Sequence, residues 1–402
     1  MSRRKDPKGT VLKEHENYRS DGRYEYKYRD KTGRRHSLYS RTLKELREKE
    51  EKLLKNVYSG LSIDAQKLTL NDQYDKWIKL KVNLKDNVKE NYKYMYEAFV
   101  REEIGKLKLV DINNSDIRSF YLRLLDQRHM KARTLEVIQT VLYPVFKMAM
   151  DENIIAKNPA EKALSEIKRS EKYKSEKKKA LTLEQQKAFE NYINSDPRNQ
   201  QWQIFIFMLY TGLRVGEATG LTKDDIDDEE VKVNHTLVYY DKRPKNGMVF
   251  AINSPKTEAG KREVTLLPQA KEALEKNRKF LEEAEIKCRA VVDGYTDFIF
   301  VNRFGDNLHQ GTLNKALRRI VRDYNLEEID KATKEKREPV LLPKISTHIL
   351  RHTFATRMVE NDVNIKVMQD ELGHKDIHTT LDIYTDAQKE LKKKEMVKMA
   401  KI

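Results

Sequence analysis

The spacing of apolar residues changes twice along this chain, and these changes constrain its fold more than any other feature of the sequence. Residues 23–29 alternate strictly between charged residues and tyrosines, which is typical of a half-buried strand. From about Leu68 to Asn158 the apolar residues recur at helical spacing, and from about Ala180 to Thr385 helical and strand-like segments are mixed. A chain of 402 residues is long enough for two or three domains. The sequence therefore predicts an α+β multidomain fold.

The first predicted domain, residues 1–60, is a small β-sheet followed by a helix. Its central strand places three tyrosines on one face: Tyr24, Tyr26 and Tyr28. Residues 34–40 can form the return strand, and Thr42 with Glu45 matches the capping box that begins many helices. Basic side chains would lie on the other face of the strand: Arg23, Lys27 and Arg29. The segment holds 18 Lys or Arg against 10 Asp or Glu, so its sheet could enter a DNA groove, although merely solvated charge is an alternative.

The second predicted domain, residues 61–165, is a compact bundle of four or five helices that ends near Asn158-Pro159. Residues 166–179 then form a lysine-rich connector. A run of like charges is usually a solvated linker. Between two DNA-binding domains, however, the connector could lie along the phosphate backbone through three lysines: Lys172, Lys174 and Lys177.

The charge balance favours a nucleic-acid partner. The formal net charge is +16 and the sequence pI is about 9.4, and nucleic acid is the commonest polyanion in cells. A membrane partner is disfavoured, because no stretch approaches the roughly 18 apolar residues of a spanning helix. The basic start also lacks the apolar stretch of a signal peptide. The single cysteine, Cys288, rules out an intramolecular disulfide and agrees with a reducing compartment. From these observations together we expect a cytoplasmic protein.

Four short segments of the third predicted domain, residues 180–385, carry side chains suited to phosphate chemistry. In chain order they contain Arg214 with Glu217, Lys256 in a predicted hairpin, His348 with Arg351, and His374 followed ten residues later by Tyr384. Attack on a phosphodiester spreads negative charge over the nonbridging oxygens, and arginines suit this charge because they offer fixed donors and stay protonated. Each motif alone is weak, since the chain has 20 tyrosines and a lone arginine or histidine is common.

Together and in this order, the four motifs resemble the tyrosine recombinase family of phage and conjugative-element integrases. The resemblance implies a mainly α catalytic domain with a small antiparallel sheet, preceded by a helical core-binding domain and an arm-type DNA-binding domain. It implies a site-specific recombinase that integrates, and also excises, a mobile element through a 3′-phosphotyrosyl intermediate and a Holliday junction, with no metal, ATP or other cofactor. The implied partners are double-stranded DNA, at core and arm sites, and further copies of the chain in a homo-tetramer. An excision factor or a DNA-bending protein is a further partner that the resemblance allows.

The resemblance also implies a role for each motif residue. These roles are phosphate binding by Arg214 and Arg351, protonation of the leaving 5′ oxygen by Lys256, acceptance of the tyrosine proton by His348, a hydrogen bond to phosphate from His374, orientation of Arg214 by Glu217, and nucleophilic attack by Tyr384. An unperturbed tyrosine has a pKa of about 10, so the nucleophile needs a proton acceptor. The tail, residues 386–402, would either pack on a neighbouring subunit or fray into solvent.

Three other classes of protein fit parts of the pattern. A metal hydrolase would use His348 and His352, which have the i, i+4 spacing of a zinc-binding helix, but Ile349 stands where a metallopeptidase has its glutamate base. A structural DNA-binding protein would need neither Tyr384 nor a second arginine. A type IB topoisomerase shares the chemistry, but the two preceding domains favour recombination between defined sites.

Overall fold

The computed structural model describes residues 4–29, 33, 35–58, 67–169, 179–242, 247–255, 260–374, 376–378, 380–382, 384–385 and 387. Four predicted site residues lie outside these ranges: Lys172, Lys174, Lys177 and Lys256. The predicted tail lies outside them too, apart from residue 387. The chain divides into two compact units, Met1–Ser175 and Glu176–Ile402. Within the described ranges, no helix combines the length and the apolar character needed to cross a bilayer.

A three-stranded antiparallel sheet forms the N-terminal region. Its strands pair in the order β1 (Glu16–Tyr18), β2 (Tyr24–Arg29) and β3 (Arg35–Ser40), and the helix α1 (Leu43–Tyr58) follows. Tyr24 and Tyr26 are buried in one hydrophobic cluster with Leu46 and Leu53 of α1. The alternation of residues 23–29 is therefore confirmed as a strand with one buried face.

Four helices form the helical region of the first unit: α2 (Leu70–Leu80), α3 (Asp86–Phe99), α4 (Asn114–Asp126) and α5 (Ala132–Asp151). Capping boxes begin two of them, at Thr69 and at Asn113, where a side chain satisfies an amide that the helix leaves unpaired. The helices share one core, in which the rings of Tyr74 and Tyr96 stack. The predicted bundle is confirmed, and Ile167 is buried in the same core, two residues past the predicted domain end at residue 165.

The second unit is mainly helical. Its elements are, in chain order, α6 (Leu183–Ser195), α7 (Gln203–Thr211), α8 (Val215–Gly220), β4 (Glu230–Val233), β5 (Thr236–Asp241), β6 (Met248–Asn253), β7 (Arg262–Thr265), α9 (Pro268–Glu283), α10 (Gln310–Glu335), α11 (Thr347–Glu360) and α12 (Ile365–Leu372). Residues 204–209 of α7 are apolar and all buried. A helix that is apolar on every side lies inside a core, so α7 is a fixed support for the turn that follows it.

The strands of the second unit form two short ladders, whereas the sequence predicts one small sheet. β4 pairs with β7, and β5 pairs with β6, both antiparallel. β6 and β7 belong to different ladders, so these two strands do not pair with each other as the predicted hairpin requires. Alternating β-branched and aromatic residues identify a strand, but they do not specify its partner.

Candidate active site

Arg214 lies at the turn between α7 and α8. Gly212 ends α7 with φ +63°, a left-handed conformation that glycine adopts readily. A side chain at this position would overlap the ring of Phe354. Arg214 is the residue before α8, and its amide donates to Glu217 Oε2 at 2.9 Å. This turn holds Arg214 in place while 43% of its side chain stays exposed.

Glu217 is a buried carboxylate that two arginines share. Its Oε1 accepts from Arg214 Nη1 at 2.8 Å, and its Oε2 accepts from Arg262 Nη2 at 2.9 Å. Burial alone would raise the pKa of Glu217, but the guanidinium groups of Arg262, Arg214 and Arg351 outweigh burial and lower the pKa to about 2. Glu217 is therefore ionised at neutral pH and fixes both guanidinium groups.

Arg351 is buried on α11 and makes three hydrogen bonds. It donates from Nη1 to the Gly212 carbonyl at 2.6 Å, from Nη2 to the Leu372 carbonyl at 2.6 Å, and from Nη2 to His374 Nε2 at 2.9 Å. Burial, followed by the positive charge of neighbouring arginines, lowers the pKa of Arg351 to about 9. The side chain stays protonated at neutral pH, so it carries a full charge in a fixed orientation.

Three successive backbone carbonyls at residues 371–373, here called the carbonyl end of α12, bind three arginines. The Glu371 carbonyl accepts from Arg262 Nε at 2.7 Å, the Leu372 carbonyl from Arg351 Nη2 at 2.6 Å, and the Gly373 carbonyl from Arg214 Nη2 at 3.2 Å. The last carbonyls of a helix have no partner within it and form the negative end of its dipole. The carbonyl end of α12 thus gathers three positive charges in one place.

His374 follows the carbonyl end of α12 and is 9% exposed. Burial, followed by the charge of Arg351, lowers the pKa of His374 to about 4, so the ring is neutral at pH 7. Nε2 lies 2.9 Å from Arg351 Nη2, and Nδ1 lies 2.9 Å from Thr380 Oγ1. Because arginine only donates, Nε2 carries the lone pair and Nδ1 donates to Thr380. The ring has no N–H left for a phosphate, which differs from the role that the resemblance implies.

His348 and Tyr384 have different surroundings. His348 is exposed near the start of α11, three residues before Arg351. Tyr384 is half-buried in a helical stretch, and it packs against an apolar cluster that includes Phe354 of α11 and Leu372 of α12. Tyr384 therefore lies against the two helices that supply Arg351 and the carbonyl end of α12.

Two residues of this site were not singled out from the sequence: Arg262 and Thr380. Arg262 follows Lys261 at the start of β7, and its spacing does not distinguish a buried arginine from a solvated one. Its side chain is only 6% exposed. Thr380 could have been identified from the sequence, because it precedes Tyr384 by four residues and would lie on the same face of a helix.

The zinc-site alternative lacks a set of ligands in the part of the chain that the structure describes. There, no three side chains of His, Cys, Asp or Glu are grouped so that they could hold a metal ion. His348 is exposed and His352 is half-buried, both on α11.

The basic residues predicted on the N-terminal sheet are exposed: Arg23 directly before β2, and Lys27 and Arg29 on it. Lys27 keeps 60% of its side chain exposed and lies 3.5 Å from Glu25 Oε2, and Arg23 pairs with Asp21 at 2.7 Å. Glu25 lies on the same face but is buried, and it accepts from the Tyr39 hydroxyl at 3.1 Å. Contact between this face and DNA stays a prediction.

Two protein-family models match the chain. The phage integrase family matches residues 179–390, which is more than half of the chain and includes the whole arginine cluster. The DNA binding domain of Tn916 integrase matches residues 1–57, which include the three-stranded sheet.

Individual relatives are similar over nearly the whole chain. The transposase from transposon Tn916 of Enterococcus faecalis is 28% identical over 401 residues, which cover 96% of this chain and 94% of the relative. A XerC-like tyrosine recombinase of Caldanaerobacter subterraneus subsp. tengcongensis is 25% identical over 387 residues, which cover 92% of this chain and 94% of that protein.

Solved structures show the same fold. A Tn1549 transposon integrase in complex with transposon right end DNA has a TM-score of 0.68 and 26% identity, and the match covers 83% of this chain and 100% of that chain. A lambda integrase tetramer bound to a Holliday junction has a TM-score of 0.51 at 21% identity, over 93% of this chain and 95% of that chain, and shows likeness of fold alone. From the family match and these relatives, the chain belongs to the phage integrase family and is a tyrosine recombinase, an integrase of the conjugative-transposon type.

Proposed function

We propose that the second unit cleaves and rejoins DNA by attack of the Tyr384 phenol oxygen on a phosphodiester. The bond from this oxygen to phosphorus forms while the bond to the 5′ oxygen breaks, which gives a 3′-phosphotyrosyl ester and a 5′ hydroxyl. The phenol proton passes to an acceptor, and the leaving oxygen receives a proton. One ester replaces another, so attack by a 5′ hydroxyl reverses the step without ATP.

The observation that carries this proposal is the fixed pair of arginines, Arg214 and Arg351. Arg351 is bound to the carbonyl of Gly212, two residues before Arg214, and both side chains reach the carbonyl end of α12. Both are therefore held before a phosphate arrives, and preorganised donors stabilise developing charge without reorganising during the reaction. The exposed part of Arg214 is open to a phosphate.

Two of the remaining motif residues transfer protons, and a third contacts Arg351. In the proposal Lys256 gives a proton to the leaving 5′ oxygen, and His348 accepts the phenol proton from its exposed position on α11. His374 acts on Arg351, because its N–H is used by Thr380 and its lone pair faces the guanidinium.

The proposal extends to the DNA and to the assembly. The N-terminal sheet would bind arm sites, while the helical region and the second unit would bind core sites of double-stranded DNA. Basic residues would contact phosphates: Arg23, Lys27 and Arg29 on the sheet, and Lys172, Lys174 and Lys177 in the connector. Four copies would exchange DNA strands through a Holliday junction. An excision factor or a DNA-bending protein would assist them. The reaction would take place in the cytoplasm, where the DNA of the element lies. The Tn1549 integrase in complex with transposon DNA supports the DNA-binding part of this proposal.

The test uses duplex DNA from the ends of the mobile element that carries this gene. The duplex is nicked so that a short strand is lost after cleavage, which traps the covalent intermediate. Wild type, Tyr384→Phe and the control Tyr295→Phe, which changes a tyrosine that is 37% exposed, are incubated with it without ATP. Protein–DNA adducts that survive SDS are then counted.

We expect adducts with wild type and Tyr295→Phe and none with Tyr384→Phe. Adducts with Tyr384→Phe would move the nucleophile to another tyrosine. Tight DNA binding without any adduct would favour a structural DNA-binding protein instead.

A further inference from the structure

Arg262 is buried at the start of β7 and is held away from solvent. Its side chain is 6% exposed, and each of its three nitrogens donates within the protein. Nε donates to the Glu371 carbonyl at 2.7 Å, while Nη1 and Nη2 donate to Glu217 Oε1 at 3.3 Å and Oε2 at 2.9 Å. The carboxyl group of Glu371 accepts instead from Thr265 Oγ1 at 3.2 Å. The reaction proposed above gives Arg262 no task.

Glu217 binds Arg214 and Arg262 through the same two oxygens. Oε1 lies 2.8 Å from Arg214 Nη1, and Oε2 lies 2.9 Å from the Arg214 amide, so this carboxylate orients Arg214. A carboxylate with one arginine forms a pair without net charge, whereas a carboxylate between two arginines leaves one positive charge. Because Arg262 is buried and 43% of the Arg214 side chain is exposed, the remaining charge is available at Arg214.

We propose that Arg262 is a positioning residue that acts through Glu217: it neutralises the carboxylate that orients Arg214, so that Arg214 keeps its attraction for a phosphate. One group then orients Arg214, and another preserves its charge. The inference rests on the role proposed above for Arg214.

The contrast with Arg351 supports this role. Arg351 is held by the carbonyls of Gly212 and Leu372, which have no net charge, so its own charge is not cancelled. Arg214 is oriented by a carboxylate, and a second arginine lies on that same carboxylate.

An arginine that only stabilised the fold would make the same contacts as Arg262, but the two roles respond differently to the charge of the substrate. The attraction that is lost with Arg262 is electrostatic, so its loss slows the reaction of a charged phosphate more than that of a neutral one. A defect in the fold would slow both reactions by the same factor.

Two nicked duplexes measure this difference. One has a phosphodiester at the cleavage site, and the other has a methylphosphonate, in which a methyl group replaces one nonbridging oxygen and removes the negative charge. Full-length protein in excess forms the adduct in a single turnover. The rate constant is compared and not the yield, because the rate constant does not depend on the fraction of protein that is folded.

Three variants change the charge in defined steps. Arg262→Gln removes the compensating charge, and Arg262→Lys keeps it without the planar fork. Arg262→Gln combined with Glu217→Gln removes both charges and still offers Arg214 an oxygen acceptor. Arg278→Gln is the control, because it removes an arginine of α9 whose side chain is 63% exposed.

We expect Arg262→Gln to form the phosphodiester adduct roughly 10–100-fold more slowly than wild type. This is the effect of one unit charge over about 6–12 Å at an effective dielectric constant of about 20. On the methylphosphonate the same variant should be much closer to wild type. Arg262→Lys and the double variant should recover most of the rate on the phosphodiester, and Arg278→Gln should equal wild type on both duplexes.

Equal slowing of both duplexes by Arg262→Gln would make Arg262 a structural residue and overturn the inference, while the proposed function would stand. A double variant as slow as Arg262→Gln would do the same. If Arg262→Gln formed no adduct with either duplex, the double variant would decide: a rate near wild type supports the inference, and a rate more than about tenfold lower overturns it. The absence of any phosphodiester adduct with wild type would overturn the proposed function, and the inference with it.

Discussion

Glu217 sets the charge of the candidate active site. Three guanidinium groups and one carboxylate meet there, which gives the cluster two net positive charges. A phosphodiester under attack by a tyrosine that has lost its proton carries about two negative charges in the transition state, one more than the substrate. The cluster therefore matches the transition state better than it matches the ground state.

Arg262→Gln should destabilise the second unit most strongly at neutral pH. Glu217 would keep its buried charge but lose a guanidinium partner, and breaking a buried pair costs about 3–5 kcal/mol. In wild type the pKa of Glu217 is lowered from 4.5 to about 2, so its contribution is present above pH 4.5 and is lost as the pH falls toward 2. In the variant the pKa of Glu217 rises, Glu217 takes up a proton earlier, and the loss of stability should shrink as the pH falls.

Tryptophan fluorescence can follow this unfolding in the second unit alone. The chain has two tryptophans, and in a Trp77→Phe background the signal comes from Trp202, just before α7. Urea titrations at neutral pH and at a pH below 4.5, within the range where Glu217 takes up its proton, give the free energy of unfolding. Arg278→Gln, at a side chain that is 63% exposed, is the control. A loss of equal size at both pH values would contradict the role assigned to Glu217.

At the scale of single residues, the sequence identified charged residues of the site better than it identified their hydrogen-bond partners. Arg214 and Arg351 could be predicted, because motifs of known order mark them. Arg262 could not, because its partners Glu217 and the carbonyl of Glu371 are 45 and 109 positions away in the chain. Lys256 is part of the predicted site and lies outside the described residues.

Helix ends, at the scale of elements, determine the shape of the site. α7 and α12 both stop at a glycine in the left-handed conformation, Gly212 with φ +63° and Gly373 with φ +60°. Each of these glycines gives its carbonyl to an arginine, Gly212 to Arg351 and Gly373 to Arg214. The two turns thus help to hold in position the two side chains that would bind phosphate.

Gly212→Ala should destabilise the second unit by more than Gly294→Ala. Both positions have positive φ, so both substitutions carry a left-handed penalty of about 1–2 kcal/mol. An added methyl group at Gly294 meets nothing within 4 Å, whereas at Gly212 it overlaps Phe354. Overpacking adds roughly 1–3 kcal/mol. The same fluorescence titration measures both variants, and equal losses would show that Phe354 moves aside freely.

The elements themselves were more predictable than their pairing. The alternation of residues 23–29 is local, so the sequence alone predicts β2 and its buried tyrosines. The pairing of β4 with β7 joins strands about thirty residues apart and depends on packing that no local pattern encodes. For this reason the sequence did not predict that β6 pairs with β5 and β7 with β4.

The whole molecule carries a net charge of +16, and residues 1–60 account for half of it. DNA affinity should therefore fall steeply with salt, by roughly 10³–10⁵-fold between 50 and 200 mM if 6–10 phosphates are contacted. Lys27→Gln should lower the slope of log affinity against log salt by about one on DNA that carries an arm site. Fluorescence anisotropy of labelled duplexes measures both quantities.

Lys334→Gln is the matched control for this measurement. It removes another exposed lysine, on α10, that has no predicted contact with DNA. The slope for a duplex that carries only a core site should not change with Lys27→Gln. An affinity that is the same over a tenfold range of salt would contradict binding through phosphates.

The carbonyl end of α12 has a consequence for how such an enzyme can diversify. Arg214, Arg262 and Arg351 are held there by main-chain oxygen atoms, which no substitution in α12 removes as long as the helix and its final glycine persist. Exposed side chains of the helix, such as Lys366 and Val367, can then be exchanged without disturbing the arginines. A lineage could remodel this surface for new neighbours and inherit the same chemistry unchanged.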